Sequence, residues 1–226
     1  MKKLIGILAA LTICASAFSL DLAVVGGPSI NSLNGSISYN GTSHNISPDK
    51  VIWGGRIGAA LEIPLGKLLA IQPEAIFHFN NGGEYTWSYT LLSQTVSNST
   101  QQKFLSFDIP VLVKANLTLG DGTLSALVGP TFNFLFGNIS TESTTKTSGL
   151  SNTTNTSTSE LSFEDANWNT FVMGLEVGAE YTFKFGGGRL GVGCVVDFDL
   201  GDLDKDDNSS MKRFAITPQV TYYFGF

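Results

Sequence analysis

Apolar and polar residues alternate with period two through most of this chain of 226 residues, and the alternation is sharpest at its end. Counting back by twos from Phe226 puts Phe224, Tyr222, Val220, Pro218, Ile216 and Phe214 on one face. Gly225, Tyr223, Thr221, Gln219, Thr217, Ala215 and Arg213 take the other. Strand side chains alternate between faces, so this pattern reads as β-structure.

The same parity sorts six further segments. In the second strand Val51, Trp53, Gly55, Ile57, Ala59, Leu61 and Ile63 oppose Arg56 and Glu62; in the third, Leu69, Ile71, Ala75, Phe77 and Phe79 oppose Gln72, Glu74 and His78. The fourth sets Leu105, Phe107, Ile109, Val111 and Val113 against Ser106, Asp108, Lys114 and Asn116. The fifth sets Leu124, Val128, Phe132, Phe134 and Phe136 against Ser125, Thr131 and Asn133. The sixth opposes Phe171, Met173, Leu175, Val177, Tyr181 and Phe183 to Glu176, Glu180, Thr182 and Lys184; the seventh opposes Leu190, Val192, Cys194, Val196 and Phe198 to Asp197 and Asp199. Every charge named here falls opposite the apolar row.

The connections are sorted too. Strands over 20–27, 51–63, 68–79, 103–117, 123–136, 167–185, 189–200 and after 208 are joined alternately by long polar loops and tight turns. The turns are Pro64-Leu65-Gly66-Lys67, Gly120-Asp121-Gly122 and Gly186-Gly187-Gly188, with residues suited to hairpins. The long loops end at Lys50, near Gln102, near Asp165 and at Asn208. An even number of strands with this sorting predicts an all-β fold: an eight-stranded antiparallel up-and-down transmembrane β-barrel, with short turns and both termini in the periplasm and long loops outside. A soluble sandwich would bury the apolar face instead. Nearly unbroken apolar rows favour lipid, as do aromatics at strand ends (Trp53, Phe77, Phe79, Phe134, Phe136, Trp168, Phe171, Tyr181, Phe183, Tyr222, Phe224).

The start of the chain agrees. Lys2 and Lys3, the apolar run 4–13 and Ala15-Ser16-Ala17 form the three parts of a secretory signal peptide, so 1–17 is expected to be cleaved and 18–226 to form one barrel domain. A lipoprotein reading of Leu11-Thr12-Ile13-Cys14 competes poorly, because Ile13 is bulky where that processing prefers a small residue. Of 13 Lys+Arg and 19 Asp+Glu, removing Lys2 and Lys3 leaves 11 against 19, a net of −8, which argues against nucleic acid as a partner. Cys14 leaves with the signal, so Cys194 has no partner for a disulfide.

Phe107-Asp108-Ile109-Pro110-Val111-Leu112-Val113-Lys114 with Val128-Gly129-Pro130-Thr131 resembles the "IPLLLKY … GP" signature of the PorT-like, or porin-family, bacterial outer-membrane β-barrel proteins. Ile63-Pro64-Leu65, Ile71-Gln72-Pro73-Glu74 and Gly174-Leu175-Glu176-Val177-Gly178 fit the same pattern. The resemblance implies fold and membrane, and no chemistry. The last strand resembles the closing strand of such barrels, which implies that Tyr222, Phe224 and Phe226 form the signal read by the barrel-assembly machinery.

The inner face is expected to hold a charge network of Arg56, Glu62, Glu74, His78, Asp108, Lys114, Glu176, Glu180, Lys184, Asp197, Asp199 and Arg213. It reads either as a mutually paired filling or as a narrow acid-rich path for small cations. No enzyme is expected, since only His44 and His78 are available as bases and neither lies in a catalytic signature. No cofactor and no metal site is expected; the tract 202–207 lacks the Gly and distal Glu of a calcium loop and reads as a solvated acidic turn. The Ser/Thr/Asn-rich segment 141–159 reads as a mobile low-complexity loop. Tyr85, Trp87 and Tyr89 either extend a hairpin or offer an edge for strand addition. The expected function is an envelope structural or surface-interaction (adhesin-like) protein, with a narrow pore as the alternative. Its expected partners are outer-membrane lipid, the assembly machinery and a host or envelope protein met through the long loops.

Overall fold

The computed structural model describes residues 20–39, 42–46, 50–91, 94–149, 152–206 and 209–224. The expected signal peptide and Phe226 lie outside the described residues. Among the described residues there are ten strands: β1 Asp21–Tyr39, β2 Thr42–Ile46, β3 Ile52–Pro64, β4 Leu69–Leu91, β5 Gln94–Leu119, β6 Gly122–Ser148, β7 Thr153–Ser162, β8 Phe171–Phe185, β9 Gly188–Asp199 and β10 Ser209–Phe224. Eight form an antiparallel ring in the order β1-β3-β4-β5-β6-β8-β9-β10, and β10 returns to β1 through pairs running from Leu22↔Phe224 to Ile37↔Ser209. The ring therefore has no unpaired edge, which a hydrocarbon environment demands.

Residues 65–68, 120–121 and 186–187 make the tight connections, on the same end as the paired residues Leu22 and Phe224. Gly120 adopts φ +61, a left-handed conformation that a side chain at this two-residue turn would disfavour. The remaining connections lie at the opposite, loop end.

Polarity is inverted relative to a soluble protein. Trp53 is 66% exposed and Ile57, Val113, Val128 and Val192 are each about half exposed, whereas Glu176 is 0% exposed. Eight strands enclose an interior that side chains alone fill. The outer rows therefore meet lipid and the charges meet one another.

Four differences from the sequence expectation stand out, and all lie at the loop end. First, 141–148 and 153–159 are strand rather than loop, and 80–91 with 94–102 extend the hairpin through Tyr85, Trp87 and Tyr89: β4 pairs with β5 out to Leu91↔Gln94, β5 with β6 out to Thr95↔Ser148, and β6 with β7 out to Thr147↔Thr153. This four-stranded wing leaves the barrel because β6 changes partner, from β8 up to Phe134↔Phe171 to β7 from Asn138↔Ser162. Running from Phe134 to Ser148, it stands on the order of 40 Å beyond that last barrel pair. Both wing faces are wet, so no apolar row marks them, yet Thr is a good strand former. Second, two further strands, β2 and β7, lie outside the ring, which itself has the eight strands expected.

Third, β8 starts at Phe171 rather than at 167. Residues before it turn back, with Ala166 N donating to Ser162 O (3.0 Å) and Trp168 N to Phe163 O (2.8 Å). Fourth, Trp168 is consequently not part of a lipid-facing girdle. It is buried in an apolar layer with Leu33, Phe104, Leu135, Ile139, Phe163, Val172 and Leu203 that fills the loop-end mouth of the barrel.

Candidate functional site

The barrel interior is the best-ordered collection of chemistry in the chain. Strand parity points β3, β4, β8 and β9 side chains to a common centre, where the Arg56 guanidinium meets three carboxylates. Its Nη2 donates to Glu74 Oε2 (2.9 Å) and its Nη1 to Glu176 Oε2 (3.0 Å) and Asp197 Oδ2 (3.4 Å). A fork of donors suits this multiple recognition better than a point charge would. Glu74 also accepts from Gln72 Nε2 at 2.7 Å.

Toward the turn end Lys114 Nζ donates to Glu62 (2.7 Å), Glu180 (2.9 Å) and the Tyr223 hydroxyl (2.8 Å). Tyr223 OH donates to Glu180 Oε1 at 2.7 Å, and its ring lies between two cations, with Lys114 Nζ and Arg189 Cζ each 4.6 Å from the centroid. Arg189 reaches Asp21 (2.6 Å) and Glu62 (3.0 Å) and closes this end. Toward the loop end Arg213 pairs with Asp108 (3.1 Å) and Asp199 (3.4 Å), and Asn133 Nδ2 donates to Asp199 at 2.9 Å.

Eleven of the twelve residues expected in the lumen are buried there: Arg56, Glu62, Glu74, His78, Asp108, Lys114, Glu176, Glu180, Asp197, Asp199 and Arg213. Lys184 is not. It is exposed beside the 186–187 turn, past the last covering neighbours, and its cross-strand partner Arg189 reaches inward instead. Sequence reasoning missed Arg189, Asp21 and Tyr223. Tyr223 had a signal: it is an aromatic residue on the inner, Thr- and Gln-bearing face of the last strand.

His78 lies 3.4 Å from Asp108 Oδ2 and opposite Ser106 in the β4–β5 register, an arrangement that superficially suggests a catalytic triad. Its chemistry argues otherwise. Neither imidazole nitrogen has a hydrogen-bond partner, and Ser106 Oγ accepts from Asn81 and Arg213. All three residues are at most 1% exposed beneath the apolar mouth, so no substrate reaches them.

The polarity, closure and sided loops match one class of protein. The family described as outer membrane protein beta-barrel domain matches residues 18–205. The chain belongs to this family of bacterial outer-membrane barrels. Among solved structures it is similar to the attachment invasion locus protein Ail of Yersinia pestis, in complex with the heparin analogue sucrose octasulfate: identity is 11%, covering 89% of this chain and 99% of that one, with a TM-score of 0.29. Neisserial surface protein A is 10% identical over 91% of this chain and 97% of its own, with a TM-score of 0.37. No curated protein matches.

On this outer-membrane barrel the wing is the other candidate surface. At its base Tyr85 packs against the mouth layer and donates from its hydroxyl to Leu33 O at 3.2 Å. Burial pushes its phenol from 10.0 up to about 12. The folded chain thus keeps this proton when the unfolded chain has lost it, so stability is expected to fall as pH rises from about 10 to about 12. Tyr85→Phe should make that slope shallower, as read by urea unfolding at stepped pH. An unchanged slope would show that Tyr85 is not its source. Among the described residues no acidic group is arranged to hold a metal. In the 202–206 turn Asp202 and Asp204 instead accept from the amides of Asp204 (3.2 Å) and Asp206 (2.9 Å).

Proposed function

We propose that this outer-membrane barrel is a surface-interaction protein of the PorT-like type. It is exported on a cleaved 1–17 signal, with both termini in the periplasm and the wing outside the cell. The observation that carries the reading is the wing itself, held on a barrel whose lumen is filled. Among the described residues β7 pairs on one side with β6 only, and every residue from Thr153 to Leu161 is exposed. Its free edge has no Pro, no Lys and no bulge, the usual protections of an edge strand. Such an edge adds a strand from a partner protein through main-chain hydrogen bonds.

A conducting pore has less support. The Arg56, Lys114 and Arg213 clusters cross the interior, and the Trp168 layer covers them at the loop end. Among the described residues no accessible nucleophile–base pair supports catalysis.

Replacing residues 141–159 by a two-residue turn removes the outer end of β6 and most of β7 and leaves the ring pairings intact. Cells displaying this variant are expected to lose most of their binding to host cells or matrix, while the purified barrel still shifts in gel mobility on heating. Full binding by a correctly folded variant would refute the reading.

A further inference from the structure

The wall of the barrel is interrupted twice at one height, on both sides of β5. Between β4 and β5 the register passes from His78↔Ser106 to Asn81↔Phe104, so Phe79 and Asn80 together oppose Leu105. Asn80 takes φ 56 to do so. Between β5 and β6 the register passes from Leu105↔Phe136 to Lys103↔Ser140, so 137–139 together oppose Phe104, with Gly137 at φ +80. Bulges bend strands and re-aim side chains, and they recur beside functional sites. Here they open a recess of about 350 Å³ on the outer surface, floored by Phe104 and lined by Asn80, Lys103, Leu105, Asn138, Ser140 and Glu160.

Its height and chemistry are specific. Immediately below stand the outward rings of Phe79, Phe107, Phe134 and Phe136, each about 40% exposed, the aromatic belt that sits at headgroup depth. Lys103 shares their face of β5, and its ammonium has no ion pair or hydrogen bond among the described residues. Glu160, across from Ser140, accepts instead from Asn138 Nδ2 at 3.3 Å. The recess therefore combines an apolar lower lip, amide and hydroxyl donors, and an uncommitted cation at the level where lipid phosphates lie.

We propose that this recess holds the phosphate monoester of a lipid headgroup from the leaflet on the loop side, with Lys103 as its counter-ion and Asn80, Asn138 and Ser140 as neutral donors. Lipid continuous with the apolar rows below is the natural occupant, because the recess opens onto that surface and not into the lumen.

The test uses the full folded protein in phosphatidylcholine nanodiscs doped with lipid A, a phosphorylated glycolipid, and counts lipid A retained by native mass spectrometry. Lys103→Gln is expected to lower retention about five-fold, the factor that about 1 kcal/mol per interfacial lysine gives. Lys103→Arg should keep it and Glu160→Gln should raise it, while Lys67→Gln at the turn end should leave it unchanged. Gel mobility before and after heating confirms that each variant is folded. Equal retention by folded Lys103→Gln, or an equal loss from Lys67→Gln, would overturn the assignment. Displacement of lipid A by inorganic phosphate would also overturn it, by showing a site for free anions.

Discussion

Arg56→Met is expected to lower the stability of the folded barrel by about 3–5 kcal/mol, the usual consequence of removing one partner from a buried ionic cluster. Met preserves most of the stem, so little volume is lost. What changes is that Glu74, Glu176 and Asp197, which all converge on this guanidinium, lose their shared cation inside a sealed interior. Arg56→Lys should fall between, because an ammonium keeps the charge but not the fork. Adding Glu176→Gln to Arg56→Met should recover part of the loss, a positive coupling that independent sites would not show. Urea titration in micelles, followed by heat-dependent gel mobility, reads all four proteins. Coincident midpoints for wild type and Arg56→Met would mean that the cluster contributes nothing to holding the ring together.

Trp168→Ala should produce an effect of similar size for a different reason. The indole packs edge-on to Phe104 at 5.7 Å between centroids and tilted to Phe163 at 6.3 Å, in a layer buried from both lumen and solvent. Truncating a buried Trp removes about 3–5 kcal/mol and leaves a void in the mouth. Planar-bilayer recordings of wild type and Trp168→Ala should both show no conductance, because the charged clusters below form a second, independent closure. Steady single-channel currents from the variant alone would make the apolar layer the sole barrier and revive the pore reading.

How much of this was legible depended on contrast between faces. Where lipid lies on one side and charge on the other, parity located strands and lumen residues from Arg56 to Arg213 without structural help. Where water lies on both sides, as at Thr144 or Thr156, alternation carries no signal, and 141–159 reads as a loop. The sequence alone does not place Trp168, because an aromatic near a strand end suits a girdle and a plug equally well. Only the backward turn at 163–168 decides between them. Lys184 and Arg189 are cross-strand partners of the same charge at the same rim. Nothing in their spacing says which one leans inward; the acidic neighbours Asp21 and Glu62 do.

The reach of the Arg56 contacts also constrains the order of assembly. Arg56 on β3 meets Glu176 and Asp197, 120 and 141 residues away along the chain, while Lys114 meets Tyr223 at a separation of 109. A hairpin can pair Arg56 with Glu74 or Arg213 with Asp199 but cannot complete either cluster, since each also draws on strands from the opposite side of the ring. Bases and acids must therefore stay hydrated until β10 meets β1, and the interior dries only at that closing step. A chain dominated by such distant pairings folds slowly and nearly all at once. Intermediates with four or six strands inserted are then expected to be transient species that never accumulate.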